Sequence, residues 1–418
     1  MTRPLSGWRT PWRRLAAASA LGVAAGACAR PQPQPQRPAQ QPELRIGLAN
    51  GAPQVTVGGV GRLTGFAEGM AVLQVDNRQV TVSADGRAVV VSGGAERYER
   101  LLLMSPDPGG VVGINGRRYR GTVELMARDG GVTAVNRLEV EDYLLGVVSG
   151  EMGRRSSSEV AALAAQAVVS RTYALRNRGR FASQGYDLEA GVSDQVYGGV
   201  DAESPEGSAA VRATTGLILT YRGQPIAAFF HSTCGYATAT PGEAFRGVAD
   251  LAYLRSVSDR RPGSADGYYC DISPRFRWTV EWDQATLRDI LRRTVSRQLG
   301  VSAETVDEIR GVRVAHTGRS GRASELRIQV GQGEIPVHAP DIRTVFATPE
   351  GRPLGSTAVQ VHPEYQGNRL VRLKVVGAGW GHGVGMCQWG AVGRARAGQD
   401  VRQILAAYYP GAHIERWY

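Results

Sequence analysis

Cysteine is scarce in this chain, four residues in 418, which excludes a small scaffold stapled by many disulfides. Acid is in deficit: 38 Asp and Glu face 49 Lys and Arg, leaving a formal net charge of +11 carried mostly by arginine. That excess suits anionic partners such as nucleic acid, lipid head groups or acidic wall polymers, and equally a solvated basic surface. Nucleotide signatures are missing. After Gly381 and Gly383 the spacing of a dinucleotide fingerprint fails at Met386, and no Gly-Lys-Ser/Thr follows as in a phosphate loop. Internal repeats are absent too. What remains is ordinary for a folded protein: 42% hydrophobic and 21% charged residues, with enough length for two or three domains.

Residues 1–28 read as an export signal. Arg3, Arg9, Arg13 and Arg14 precede a short apolar run at 15–27 that is too short to span a bilayer. The run ends Ala25-Gly26-Ala27-Cys28, small residues before a cysteine, as at a lipoprotein processing site. Acylation of Cys28 is the expectation, and plain cleavage after Ala27 the alternative. Residues 29–43 alternate proline and glutamine, an extended solvated spacer that would lift a folded body off a membrane. The expected location is exported, membrane-anchored, and facing the cell wall or periplasm.

Residues 44–110 predict a small β region. Short β-branched segments such as Val80-Thr81-Val82 and Ala88-Val89-Val90-Val91 are broken by turns, among them Asp85-Gly86. Residues 111–418 predict a mixed α+β unit. Ser156 with Glu159 forms a capping-box pattern before a helical repeat running to Arg178-Gly179. Asp283 and Gly300 bracket a second helix over 284–299, and Asp400 and Pro410-Gly411 a third over 401–408. Strands are expected at 216–221, 226–230, 326–330 and 370–376.

Four segments carry a resemblance. The first is Tyr143-Leu144-Leu145-Gly146-Val147-Val148-Ser149-Gly150-Glu151-Met152, continued by Gln166 and Ser170-Arg171-Thr172-Tyr173. Asp194-Gln195-Val196-Tyr197-Gly198-Gly199 is the second, and Phe230-His231-Ser232-Thr233-Cys234-Gly235 the third. The fourth runs from Gly379-Trp380-Gly381-His382-Gly383 to Met386-Cys387-Gln388-Trp389-Gly390 and closes with Tyr408-Tyr409-Pro410-Gly411. In this order they resemble the SpoIID/LytB family. Gly153 stands where that family usually carries proline or another turn former.

The resemblance implies peptidoglycan glycan strands as the partner, rather than nucleic acid. It also implies one of two activities: lytic transglycosylation, or non-catalytic enhancement of a cell-wall amidase. Cleaving a glycosidic bond needs a proton donor at the leaving oxygen, and ordinary glycosidases use two carboxyl groups. A lytic transglycosylase manages with one, because the sugar's own C6 hydroxyl attacks. No cofactor is required. Glu151 is the candidate acid and base; read without the family, it is a surface turn residue. Gln166, Arg171, Asp194, Gln195, Tyr197, Trp380, His382 and Gln388 are candidate sugar contacts, through amide, guanidinium, imidazole and aromatic chemistry. Each has a structural alternative, most evenly balanced at His382. His231, Cys234 and Cys270 leave room for zinc, with a Cys234–Cys270 disulfide as the competing reading.

Overall fold

The computed structural model describes residues 40–418 apart from Val60 and Gln332. The proposed signal, the acylation site at Cys28 and most of the proline-glutamine spacer therefore lie outside the described residues. Helix accounts for 26% and strand for 38%, in several sheets, as an α+β chain requires. The helices are α1 (Val140–Met152), α2 (Val160–Arg176), α3 (Pro205–Ala213), α4 (Pro241–Ala244), α5 (Gln284–Leu299), α6 (Ile342–Val345), α7 (Gln388–Arg396) and α8 (Val401–Tyr408). Among the described residues none is long and apolar enough to cross a membrane.

The N-terminal strands do not form a separate region. A seven-stranded sheet joins Glu43–Ala52 and Arg100–Met104 to Thr122–Arg128 and Gly131–Glu139. The expected boundary near residue 110 falls inside it, since Leu103 and Leu101 pair with Val123 and Leu125 across that line. A six-stranded sheet packs beside it, and the buried apolar faces of both run into α1 and α2. Alternation decides the register: along Glu43–Ala52, Leu44 and Ile46 are fully buried while Glu43 is exposed.

A second core sits inside what the sequence reads as one unit. Trp282, Leu287, Ile290, Leu291, Phe346 and Leu373 belong to it, whereas Val384, Ala391 and Leu405 return to the first core. The chain leaves and re-enters the first body at one place. Arg277 pairs with Ala378, and the Gly379 amide donates to the Phe276 carbonyl at 3.0 Å. Residues 277–378 are thus an insertion on a two-strand neck, built around α5 and the sheets 277–283/359–378 and 309–338. The C-terminal strand His413–Arg416 closes the first body against Leu217–Tyr221.

Candidate active site

Glu151 lies in the last turn of α1, a helix missed by the sequence reading. Gly146 and Gly150 interrupt its pattern, and Tyr143, Leu144, Val147, Val148 and Met152 are buried on more than one face, so no polar stripe marks it. Both glycines are required by close approach. A Cβ on Gly146 would sit 2.8 Å from the Gly199 carbonyl oxygen, and one on Gly150 would sit 2.7 Å from that of Val196. The segment Asp194–Gly199 can therefore lie directly on the helix. Gly153 ends α1 with a positive φ of 69° and returns its amide to the Ser149 carbonyl at 2.8 Å, which makes it a turn former in its own right.

This packing brings the Val196 amide to Glu151 Oε1 at 2.6 Å. Gln388 Nε2, at the start of α7, reaches Oε2 at 3.3 Å, and lies 3.4 Å from Gln166 Oε1 on α2. Gln166 in turn donates to Ser170 Oγ at 2.9 Å. Burial raises the pKa of Glu151 above the ordinary carboxylate value, against the opposing pull of the Val196 and Gln388 donors. Glu151 also stands at the C-terminal end of α1, where the helix's partial negative charge disfavours ionisation. Beside this group Arg155 lies over the Trp389 ring, 4.4 Å from its centroid. Arg155 was not singled out in the sequence; its nearness to Glu151 along the chain was the available signal.

Other sequence candidates are placed elsewhere. Arg171 is fully buried and holds Glu141 in a two-pronged pair, Nε to Oε1 at 2.8 Å and Nη2 to Oε2 at 2.7 Å. Its guanidinium also meets the Leu217 carbonyl at 3.0 Å, so it is spent inside the fold and offers nothing to a sugar. Asp194 is an internal acceptor for Tyr173, Arg180 and the Glu189 amide. Gln195 is fully buried against the Tyr143 hydroxyl. Tyr197 donates to Asn136 Oδ1 at 2.8 Å from the core. The polar and aromatic pattern read as a carbohydrate surface is therefore a buried network, which uses the same residue types because every polar group must find a partner away from water.

Two outcomes follow from this packing. Tyr197→Phe leaves the Asn136 oxygen without its donor and is expected to cost about 1–3 kcal/mol in urea denaturation. Gly150→Ala forces a methyl against the Val196 carbonyl and is expected to cost about 1–3 kcal/mol, despite alanine's better helix propensity. A stabilised alanine variant would deny the close approach of the loop.

Trp380 and His382 stand on the glycine-rich loop that follows the strand Arg369–Ala378 back from the insertion. Trp380 is half-buried, with Arg275 over its ring at 4.6 Å. His382 packs against Phe229, His231 and Phe245, and its Nδ1 accepts from the Val384 amide at 3.0 Å. Burial, with the neighbouring His231, pushes its imidazole well below the ordinary value, so it is neutral. His231 is likewise depressed by burial, to about 3, and its Nδ1 faces the Val384 carbonyl at 3.2 Å. It stands outside the cysteine cluster. Cys234, Cys270 and Cys387 are buried free thiols that gather with Asp259, their ligand-type atoms all within 4.8 Å of one another. The expected trio of His231, Cys234 and Cys270 is thus replaced by three cysteines and an aspartate. The Cys234 and Cys270 sulfurs stand 3.5 Å apart and unbonded. In the sequence Cys387 stood only as part of the glycine-tryptophan motif, and Asp259 gave no signal there.

Comparison with known proteins gives a consistent picture. The family described as Stage II sporulation protein (SpoIID) matches residues 128–221, and a domain of unknown function (DUF8618) matches residues 247–385. An uncharacterized protein of Brachyspira hyodysenteriae is 30% identical over 309 residues, covering 72% of this chain and 73% of the relative. The stage II sporulation protein D of Bacillus subtilis is 29% identical over 296 residues, 67% of this chain and 76% of the relative. The amidase enhancer of the same organism is 28% identical over 335 residues, 72% of this chain but only 45% of that longer protein.

Proposed function

Because the chain belongs to the SpoIID family, we propose that it remodels the cell wall as a lytic transglycosylase on peptidoglycan glycan strands. One observation carries the reading: a desolvated carboxyl, Glu151, held at both oxygens by the Val196 amide and Gln388. Protonated Glu151 gives its proton to the glycosidic oxygen between N-acetylmuramic acid and N-acetylglucosamine as that bond breaks. The muramic C6 hydroxyl then closes on C1 and returns its proton to the carboxylate. The product is a 1,6-anhydro end, no water is consumed, and the acid is regenerated. The Val196 amide stabilises the carboxylate between the two transfers, and Gln388 fixes its plane.

Purified protein with peptide-free glycan strands tests this, read by separation and mass analysis of the sugar products. Anhydro-muramyl ends are expected. Intact glycan, with peptide release quickened only when an amidase is added, would overturn the enzymatic reading in favour of the enhancer role that one relative's name carries. The same proposal places the protein outside the cytoplasmic membrane, held by a lipid on Cys28. Labelled fatty acid is expected to enter the wild-type protein and to be absent from Cys28→Ala, with release of the variant from the membrane fraction. Labelling of both alike would remove the anchor at Cys28.

A further inference from the structure

The three free thiols and Asp259 belong to four stretches of chain brought together at the start of α7. Cys234 follows the strand Phe230–His231, Cys270 lies in the turn Tyr269–Ile272, and Cys387 caps α7, while Asp259 lies in the connection between the first two. All four residues are fully buried. Three thiols and a carboxylate crowded out of water are a costly arrangement unless a cation or hydrogen bonds answer them.

The spacing suits a cation better than a disulfide. A disulfide needs its sulfurs about 2.05 Å apart. Four ligands about 2.3 Å from a tetrahedral zinc stand about 3.8 Å from one another. The Cys234–Cys270 separation of 3.5 Å is close to the second figure. A Cys234–Cys270 bridge would also strand Cys387 and Asp259 in the same buried space.

The surroundings are arranged as they are around metal thiolates. Cys387 Sγ accepts from the Cys234 amide at 3.1 Å and the Gly390 amide at 3.2 Å. Asp259 divides its two oxygens. Oδ1 is held by the Tyr408 hydroxyl at 2.7 Å and Arg394 Nη2 at 3.2 Å, which leaves Oδ2 turned toward the sulfurs, 3.6 Å from Cys234 Sγ. Outer partners that fix a ligand's orientation and add a positive charge are the usual support of a metal centre. Gly390 belongs to the same packing, since a Cβ there would meet Asp259 Oδ2 at 2.4 Å.

We propose that Cys234, Cys270, Cys387 and Asp259 form a closed tetrahedral zinc site of structural type. Four protein ligands leave no open position for water or substrate. The ion pins the start of α7, and with it Gln388, the next residue after Cys387. It also ties the segment carrying Cys234 to that helix. The site stands independently of the proposed cleavage activity.

The test is made on the full chain, purified without chelator or added metal. About one zinc per chain is expected, released together with the thiols of Cys234, Cys270 and Cys387 when the protein is unfolded. Cobalt(II) in its place is expected to give thiolate-to-cobalt charge-transfer absorption and the strong visible bands of a tetrahedral ion, both lost in Cys270→Ser. Tyr408→Phe, which removes one of the bonds orienting Asp259, is expected to weaken zinc retention against a chelator about 10-fold. Should Cys270→Ser fail to fold, the metal content and cobalt spectrum of the wild-type chain decide. A non-reducing peptide map with a Cys234–Cys270 bridge would overturn the proposal, as would native protein with three free thiols and no metal.

Discussion

Glu151→Gln is expected to slow glycan cleavage by about 10²–10⁴-fold while leaving the fold at least as stable near neutral pH. The two halves of this expectation have one cause. Burial raises the pKa of Glu151 in the folded protein. A carboxyl with a folded pKa above its unfolded value stabilises the fold in its protonated form. That contribution is complete below the unfolded value and is lost as pH rises through the folded one. Near neutral pH the wild-type fold therefore carries the cost of a desolvated carboxylate, which glutamine does not. The variant's melting temperature should match the wild type in acid and equal or exceed it near neutrality. Wild-type kcat/KM should fall on the alkaline side only above the usual carboxylate range, because the acid form persists there. A pH series of thermal unfolding and product analysis checks both parts. A fully active glutamine variant would remove Glu151 from the chemistry.

Arg171→Met is expected to be the most damaging single change to stability, about 3–5 kcal/mol, because it strands a charge. Burial alone would raise Glu141, but Arg171's hydrogen bonds and charge, with the Tyr418 hydroxyl and the Gly216 amide, hold its carboxyl below the ordinary value. Stability from a depressed carboxyl is present above the unfolded pKa and is lost as pH falls through the folded one. The wild type should thus lose this contribution in acid, and the Met variant should lack it at neutral pH. Arg171→Lys keeps the charge but cannot reproduce the two-pronged geometry, and should recover only part of the loss. Adding Glu141→Gln to Arg171→Met should recover stability, since neither charge is then left alone. Denaturant titration of these proteins together with Glu141→Gln alone gives the coupling. Should Arg171→Met unfold like the wild type and lose only glycan binding, the internal role would be wrong.

Legibility in the sequence followed local chemistry. Asp283 accepts from the Thr286 amide at 2.7 Å, Gly300 ends α5 in the left-handed region, and Asp400 and Gln403 bond each other's amides, all as caps readable from a few residues. Glu159 likewise accepts from the Ser156 amide at 3.0 Å. The helices α1 and α7 were not readable, whereas α2, buried almost throughout, was betrayed by its capping box. In α1 and α7 the glycines and the burial on several sides remove the period on which amphipathic reading depends. The nearness of Glu151 and Gln388 was not derivable either, because they lie 237 residues apart and meet only through the fold. Composition misled at Asp194, Gln195 and Tyr197, since a buried polar network and a sugar-binding face draw on the same side chains. The insertion was hidden because its helices and strands continue the α+β pattern on either side of its neck.

That neck has a consequence for the order of events as the chain is made. Glu151 leaves the ribosome early, yet its partner Gln388 follows the whole of residues 277–378, and the closing strand His413–Arg416 comes later still. A contact so distant in sequence forms late. A nascent chain can therefore complete its N-terminal sheets while the acid still lacks one of its two supports. The assembled carboxyl exists only once the segment carrying Gln388, beyond the insertion, has docked.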